Sequence, residues 1–187
     1  MTTTSTKGSA LITGASTGIG AVYADRLAKR GYDLILVARD EARLNALAER
    51  LRAEAGVKVE VIKADLTNKA GLVKLEQRLA TDTTIAALIN HAGVAGAPAF
   101  VGSDPAAFEK MIQLNVTAVT RLASAAARNF VPRDKGAIVN LASVVGLAPE
   151  LGMPVYGATK AFVTYLTQGL RVQLANSRES IGMHACA

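Results

Sequence analysis

The sequence has no tryptophan, four tyrosines, four phenylalanines and a single cysteine, Cys186. One thiol builds neither an intrachain disulfide framework nor a cysteine-rich metal site. His91 and His184 are the only histidines, which argues against a zinc enzyme, and no metal is expected. Aromatic residues make up 4% of the chain, so a stacking platform for single-stranded nucleic acid is poorly supplied. A long run of one charge is also missing. The 21 Lys and Arg outnumber 15 Asp and Glu to give +6, but they are scattered and form no basic arm. No nucleic-acid partner is expected. Residues 1–6 are polar and read as a frayed N-terminus, while the apolar stretch from Leu11 to Ile19 is broken by Gly14 and Gly18. Neither a signal peptide nor a membrane-spanning helix fits, and the expected setting is cytoplasmic, away from membranes.

What is present is 187 residues, half of them hydrophobic: enough for a sizeable core and too few for two ordinary domains. Short β-branched runs alternate with helical stretches. Strands are expected at 9–13, 33–38, 57–64, 85–90 and 137–141. Helices are expected at about 19–30, 40–55, 68–80, 105–130 and 156–175. Gly31 and Gly56 stand where helices should close. Pro105 suits a first helical position behind Ser103 or Asp104. Such alternation makes an α/β protein with a doubly wound parallel sheet, whose ligand site lies at the carboxyl ends of the strands.

Between the first strand and first helix lies Thr13-Gly14-Ala15-Ser16-Thr17-Gly18-Ile19-Gly20. Its glycines permit a tight turn and close approach of backbone to a pyrophosphate, although the spacing is not that of G-x-G-x-x-G. A plain flexible loop is the alternative. The second strand ends in Val37-Ala38-Arg39-Asp40. A carboxylate directly after this strand would bond a ribose 2′-hydroxyl, whereas Arg accommodates a 2′-phosphate. Arg39 comes first and Asp40 is placed to cap the next helix, which favours NADP(H); a solvated surface charge is the other reading of Arg39. Asp65, after the third strand, either bonds adenine or caps the following helix.

Ser143 lies just past the fifth strand, and Tyr156 and Lys160 are four apart on the last helix, sharing a face. An ammonium beside a phenol stabilises its phenolate form, so such a Tyr can exchange a proton with a carbonyl or alcohol oxygen. Ser143 could hold the same oxygen.

These elements, with Asp65, Asn90-His91-Ala92-Gly93 and Asn115 in order between them, resemble the short-chain dehydrogenase/reductase family over about residues 7–176. The resemblance implies a Rossmann-type sheet of order 3-2-1-4-5 and hydride transfer between NADP(H) and a carbonyl or alcohol substrate. It makes Tyr156 the general acid/base, Lys160 its tuner and a ligand of the nicotinamide ribose, and Ser143 the substrate-orienting hydroxyl. Asn115 corresponds to a residue that holds a water in a proton relay from Lys160. Gly14, Ser16, Thr17, Gly18, Ile19, Gly20, Arg39, Asp65, Asn90, Ala92 and Gly93 would join Tyr156 and Lys160 around the cofactor. His91 stands where the family often has Asn, and a structural role at a strand end is expected of it. Phe100, Val144, Leu147, Leu151 and Met153 read either as an apolar pocket lining or as core. Subunits of the family often pair through the helices matching 105–130 and 156–175, which leaves a homodimer open here.

After Asn176 the resemblance stops. Residues 177–187 show no apolar strand of useful length and no Pro-Gly pair. The expectation is a single incomplete domain over 1–187 with an atypical tail, strands six and seven absent, and strand five as an exposed edge. An NADPH-binding remnant or an interaction protein without turnover is then the alternative to an active oxidoreductase.

Overall fold

Leu11 and the residues around it explain the layering. In strand β1 (Ser9–Thr13) successive side chains point to opposite faces, and both faces are covered. Leu11 joins Ile35, Val37, Leu88 and Ile138 in one cluster, whereas Ala10 and Ile12 join Leu34, Leu36, Ala87 and Ile89 in another. In this computed structural model, which describes residues 7–95, 100–175 and 181–186, the strands are β1, β2 (Asp33–Ala38), β3 (Val59–Lys63), β4 (Ile85–Asn90), β5 (Gly136–Leu141) and β6 (Ile181–Cys186). They form one parallel sheet in the order β3-β2-β1-β4-β5-β6.

Helices α1 (Gly18–Lys29) and α2 (Glu41–Ala55) cover one face through Ala24, Leu27, Leu44 and Leu51. On the other face lie α3 (Lys69–Thr81), α4 (Pro105–Ile112), α5 (Val119–Phe130) and α6 (Pro154–Ala175), with Leu72, Leu79, Leu122 and Phe130 at the centre of that core. Full burial of a side chain such as Phe130 contributes about 1.5–3 kcal/mol.

The expected helix ends are recognisable in their caps. Gly31, at φ +83°, closes α1: its N–H donates to Ala28 O, and that of Tyr32 donates to Leu27 O. Asp40 caps α2, Asn68 caps α3, and Asp104 caps α4 with Pro105 at its first turn. The cap of α3 is therefore Asn68, not Asp65. The single helix expected over 105–130 is interrupted: residues Gln113–Ala118 form a π-helical segment between α4 and α5.

One expectation is overturned. Strand six is present, and β5 is not the edge. Ile181 pairs with Gly136, and the ladder runs in parallel register to Cys186 beside Leu141. The segment carries no proline and no Asp, Glu, Lys or Arg, so its main chain can satisfy the free N–H and C=O groups of β5 without a long apolar run. Helix α6 supplies the crossover and packs against β6. The expected frayed start at 1–6 and part of the tail, 177–180 and 187, lie outside the described residues.

Candidate active site

The carboxyl ends of β1, β2 and β4 open onto a cavity of about 380 Å³. Gly14, Ser16 and Thr17 line it from the first turn, Arg39, Asp40 and Arg43 from the end of β2 and the start of α2, and Asp65 from beyond β3. His91, Ala92, Gly93 and Val94 form its inner wall. A second cavity of about 220 Å³ shares His91, Gly93 and Val94 with the first and adds Ile19, Leu141, Ala142, Tyr156 and Lys160. The shared wall places the two side by side across the strand ends.

The first turn is built by close backbone packing. A Cβ on Gly14, whose φ is +67°, would sit 2.8 Å from His91 Nδ1 and 2.9 Å from the Ala92 backbone nitrogen. Thr13 fastens the facing segment, since its Oγ1 accepts the N–H groups of His91 and Ala92, each at 3.1 Å. Glycine at these points leaves the chain close enough to α1 for the helix N-terminus to face an anion. Gly18 has φ +57° and open space around it.

His91 holds this turn from inside the wall. Its Nδ1 lies 3.1 Å from Gly14 O; a carbonyl only accepts, so Nδ1 carries the proton of the neutral ring. Burial, with a smaller push from the Lys160 ammonium, holds the imidazole below the ordinary histidine range despite the bond to Gly14. The unfolded chain therefore takes up a proton at a pH where the folded chain does not. The stability His91 supports is complete above its unfolded value, about 6.5, and declines as pH falls through it. The melting temperature is expected to fall between about pH 8 and pH 5 more steeply in the parent chain than in a His91→Asn variant. Parallel slopes in the two proteins would contradict this.

Asp65 does not cap a helix. Its Oδ1 accepts the Thr67 N–H at 2.9 Å and the Thr67 hydroxyl at 2.8 Å, and these bonds, with the charge of Arg39, hold its carboxyl below the usual range. Asn90 turns inward instead of lining either cavity. Its Nδ2 donates to Asn140 Oδ1 at 2.9 Å, and Asn140 Nδ2 donates to Thr167 Oγ1 at 2.9 Å, tying β4 to β5 and α6.

At the second cavity, Tyr156 and Lys160 face one another across one turn of α6, with Lys160 Nζ 5.8 Å from the Tyr156 ring centroid. Lys160 is 8% exposed and donates to Leu141 O at 2.7 Å, which fixes its ammonium over the end of β5. Burial lowers its pKa from the ordinary lysine value. Asn115 sits in the π-helical segment, a feature frequent at functional sites. Its Oδ1 accepts the Val94 N–H at 3.0 Å, while its Nδ2 donates to Val94 O at 2.9 Å and to Thr159 Oγ1 at 3.2 Å. Asn115 thus clamps the wall segment to α6. Ser143 lies past β5 with its Oγ accepting the Val145 N–H at 3.3 Å, and it is not among the residues lining either cavity.

Phe100, Val144, Leu147 and Leu151 are exposed, not core. Phe100 stacks on Phe108 with ring centroids 5.5 Å apart. Arg43, which no sequence motif singles out, also lines the first cavity. Its position three residues after the cap Asp40 was the available signal.

Residues 8–187 match the family model for short chain dehydrogenase. The chain belongs to the short-chain dehydrogenase family. Among solved structures, it is 56% identical to a short-chain dehydrogenase from Sphingobium yanoikuyae in complex with NADPH, with a TM-score of 0.92, covering 95% of this chain and 69% of that one. The bulky-bulky ketone specific alcohol dehydrogenase from Comamonas testosteroni is 52% identical, also with a TM-score of 0.92, covering 95% of this chain and 71% of that one. Among curated relatives, a very-long-chain 3-oxoacyl-CoA reductase of Danio rerio is 33% identical over 165 residues, 86% of this chain and 53% of the relative. The short-chain dehydrogenase chain here therefore spans about half the length of that reductase and about 70% of the two solved structures. No helix among the described residues is long and apolar enough to cross a membrane.

Proposed function

We propose that the chain binds NADP(H) across the two cavities and acts as an oxidoreductase on a carbonyl or alcohol substrate. The observation that carries this reading is the adjacency of a glycine-cradled cavity bearing Arg39 and a second cavity bearing Tyr156 and Lys160. The residues fit the cofactor: Gly14, Ser16 and Thr17 line the first cavity beside the N-terminus of α1, and Arg39 stands at the end of β2. The cofactor, when bound, supplies or accepts the hydride at the substrate carbon. The chain's own part is the proton. Tyr156 Oη gives it to the carbonyl oxygen in reduction, or takes it from the alcohol in oxidation. Lys160, anchored on Leu141 O, keeps a positive charge beside the ring and is near enough to the wall to reach a ribose. Asn115 keeps that wall in place, and Ser143 supplies a hydroxyl beyond β5 once it leaves Val145 N–H.

The exposed apolar side chains Phe100, Val144, Leu147 and Leu151 favour a ketone with apolar substituents, and the Comamonas enzyme is described as specific for bulky-bulky ketones. A homodimer through α5 and α6 is part of the same reading. Leu166, Leu170 and Leu174 of α6 face Ala127 and Val131 across an open apolar cavity of about 550 Å³.

Thermal melting tests these points together. Saturating NADPH, at about 100 times its dissociation constant, is expected to add about 2.7 kcal/mol and raise the melting temperature, with a smaller rise for NADH. A dimer makes the melting temperature rise with protein concentration. A melt unmoved by either nucleotide would refute cofactor binding, and binding without reduction of any hydrophobic ketone would leave a nucleotide-binding chain without turnover.

A further inference from the structure

Resting on that reading, we propose that Gly146 is a positioning residue, whose missing side chain seats the turn bearing Ser143 directly on the helical turn bearing Tyr156 and Lys160. Ser143 opens a short 3₁₀ turn, Val144–Leu147, and is tied to it at two points. Its Oγ accepts the Val145 N–H at 3.3 Å, and its carbonyl oxygen accepts the Gly146 N–H at 3.0 Å. The inner side of this turn meets the backbone of α6. A Cβ on Gly146 would lie 2.6 Å from the Ala161 backbone nitrogen, 2.8 Å from the Lys160 carbonyl carbon and 3.2 Å from the Ala161 Cα. Gly157, next to Tyr156, answers from the helix, where a Cβ would lie 3.0 Å from Val145 O. One glycine on each partner thus interlocks the turn with the stretch of α6 from Tyr156 to Ala161.

Backbone conformation does not demand glycine at position 146. Its φ is outside the left-handed region, so alanine is admissible there and only the contact opposes it. Ordinary contacts between carbon atoms lie at about 3.5–4.0 Å, so relief requires a separation of about 1 Å. The helix is the fixed side. Thr159, Lys160, Val163 and Thr167 are buried, and Lys160 is bonded to Leu141 O. Val144 and Leu147 on the turn are exposed, as is Leu151 beyond it. The turn therefore yields and carries Ser143 with it. A displacement of about 1 Å at a group that orients the substrate costs about a hundredfold in rate at most. Lys160 stays in place, so nucleotide affinity is not the quantity that changes.

The test is a double-variant cycle on the full chain, read as kcat for reduction of aryl alkyl ketones, propiophenone first, at saturating NADPH. Gly146→Ala is expected to lower kcat roughly ten- to a hundredfold, with the NADPH dissociation constant within about twofold of the parent's. In a Ser143→Ala background the same change is expected to cost about twofold at most, because the hydroxyl it misplaces is already gone. Equal losses in both backgrounds would show a general packing role and overturn the proposal, as would parent kcat in Gly146→Ala. Melting of each variant comes first. If Gly146→Ala does not melt cooperatively, Gly157→Ala replaces it, pressing on the same contact through the milder approach to Val145 O. A loss of roughly tenfold is then expected, again confined to the background that keeps Ser143, and equal losses overturn the proposal as before. A parent chain that reduces none of these ketones refutes the oxidoreductase reading, and this inference falls with it. An active parent with equal losses in the two backgrounds refutes the role of Gly146 alone.

Discussion

Replacing Tyr156 by Phe is expected to lower kcat for ketone reduction by about 10²–10⁴-fold, the range for losing a positioned proton donor, while NADPH affinity stays near that of the parent chain. The substitution removes one oxygen and keeps the ring. Tyr156 is half-buried, and its backbone carbonyl accepts the Thr159 hydroxyl at 2.7 Å, a bond that Phe retains. The anchor of Lys160 on Leu141 O does not involve the phenol either. A loss confined to turnover follows if the phenol acts on the reacting oxygen. A packing role would instead lower the melting temperature and nucleotide affinity together. Steady-state kinetics and nucleotide titration on the same preparation separate the two. A variant with parent kcat refutes Tyr156 as the proton donor.

This selectivity arises from a division of labour that the sequence pattern only partly reveals. The limits of β1, β2 and β4 are legible to the residue, because apolar runs bounded by polar or glycine residues leave little freedom for a strand buried on both faces. Asp40 and Gly56 are legible as the ends of α2 for equally local reasons. Contacts distant in sequence are not. Asn90 reads as part of a cofactor-side motif, yet its amide is taken by Asn140, fifty positions away. The π-helical turn that carries Asn115 has no sequence signature here. The partners of the Asn115 amide, Val94 and Thr159, lie 21 and 44 positions away in sequence. Strand β6 is not legible in side-chain hydrophobicity, because the edge of β5 is satisfied through main-chain pairing. Arg43 escaped for a related reason: helical periodicity assigns it to solvent, and solvent at the carboxyl edge of this sheet includes the cofactor cavity.

Gly20→Ala is expected to destabilise the chain and weaken NADPH binding, although it adds a single carbon. Gly20 is buried in the first turn of α1, and alanine there would ordinarily favour the helix by about 0.8–1 kcal/mol. Packing reverses the sign. The added Cβ would collide with the Gly14 carbonyl oxygen, and it would lie 2.6 Å from His91 Nδ1 and 3.0 Å from the Gly14 carbonyl carbon. None of these neighbours can swing aside cheaply. Two belong to backbone, and the imidazole is bonded to that same carbonyl. The helix must therefore move away from the turn, or the turn must break its bond to His91. Overpacking of this kind costs about 1–3 kcal/mol. At this chain length that lowers the melting temperature by about 2–4 °C per kcal/mol. Either displacement also pulls the N-terminus of α1 from the place where it would meet a pyrophosphate. The NADPH-induced rise in melting temperature should consequently shrink more than the baseline falls, a disproportion that simple loss of stability does not produce. Differential scanning fluorimetry with and without NADPH measures both quantities in one experiment. A Gly20→Ala protein that keeps the parent's baseline and the parent's NADPH shift would show that the Gly14–Gly20 contact does not set the shape of the cradle.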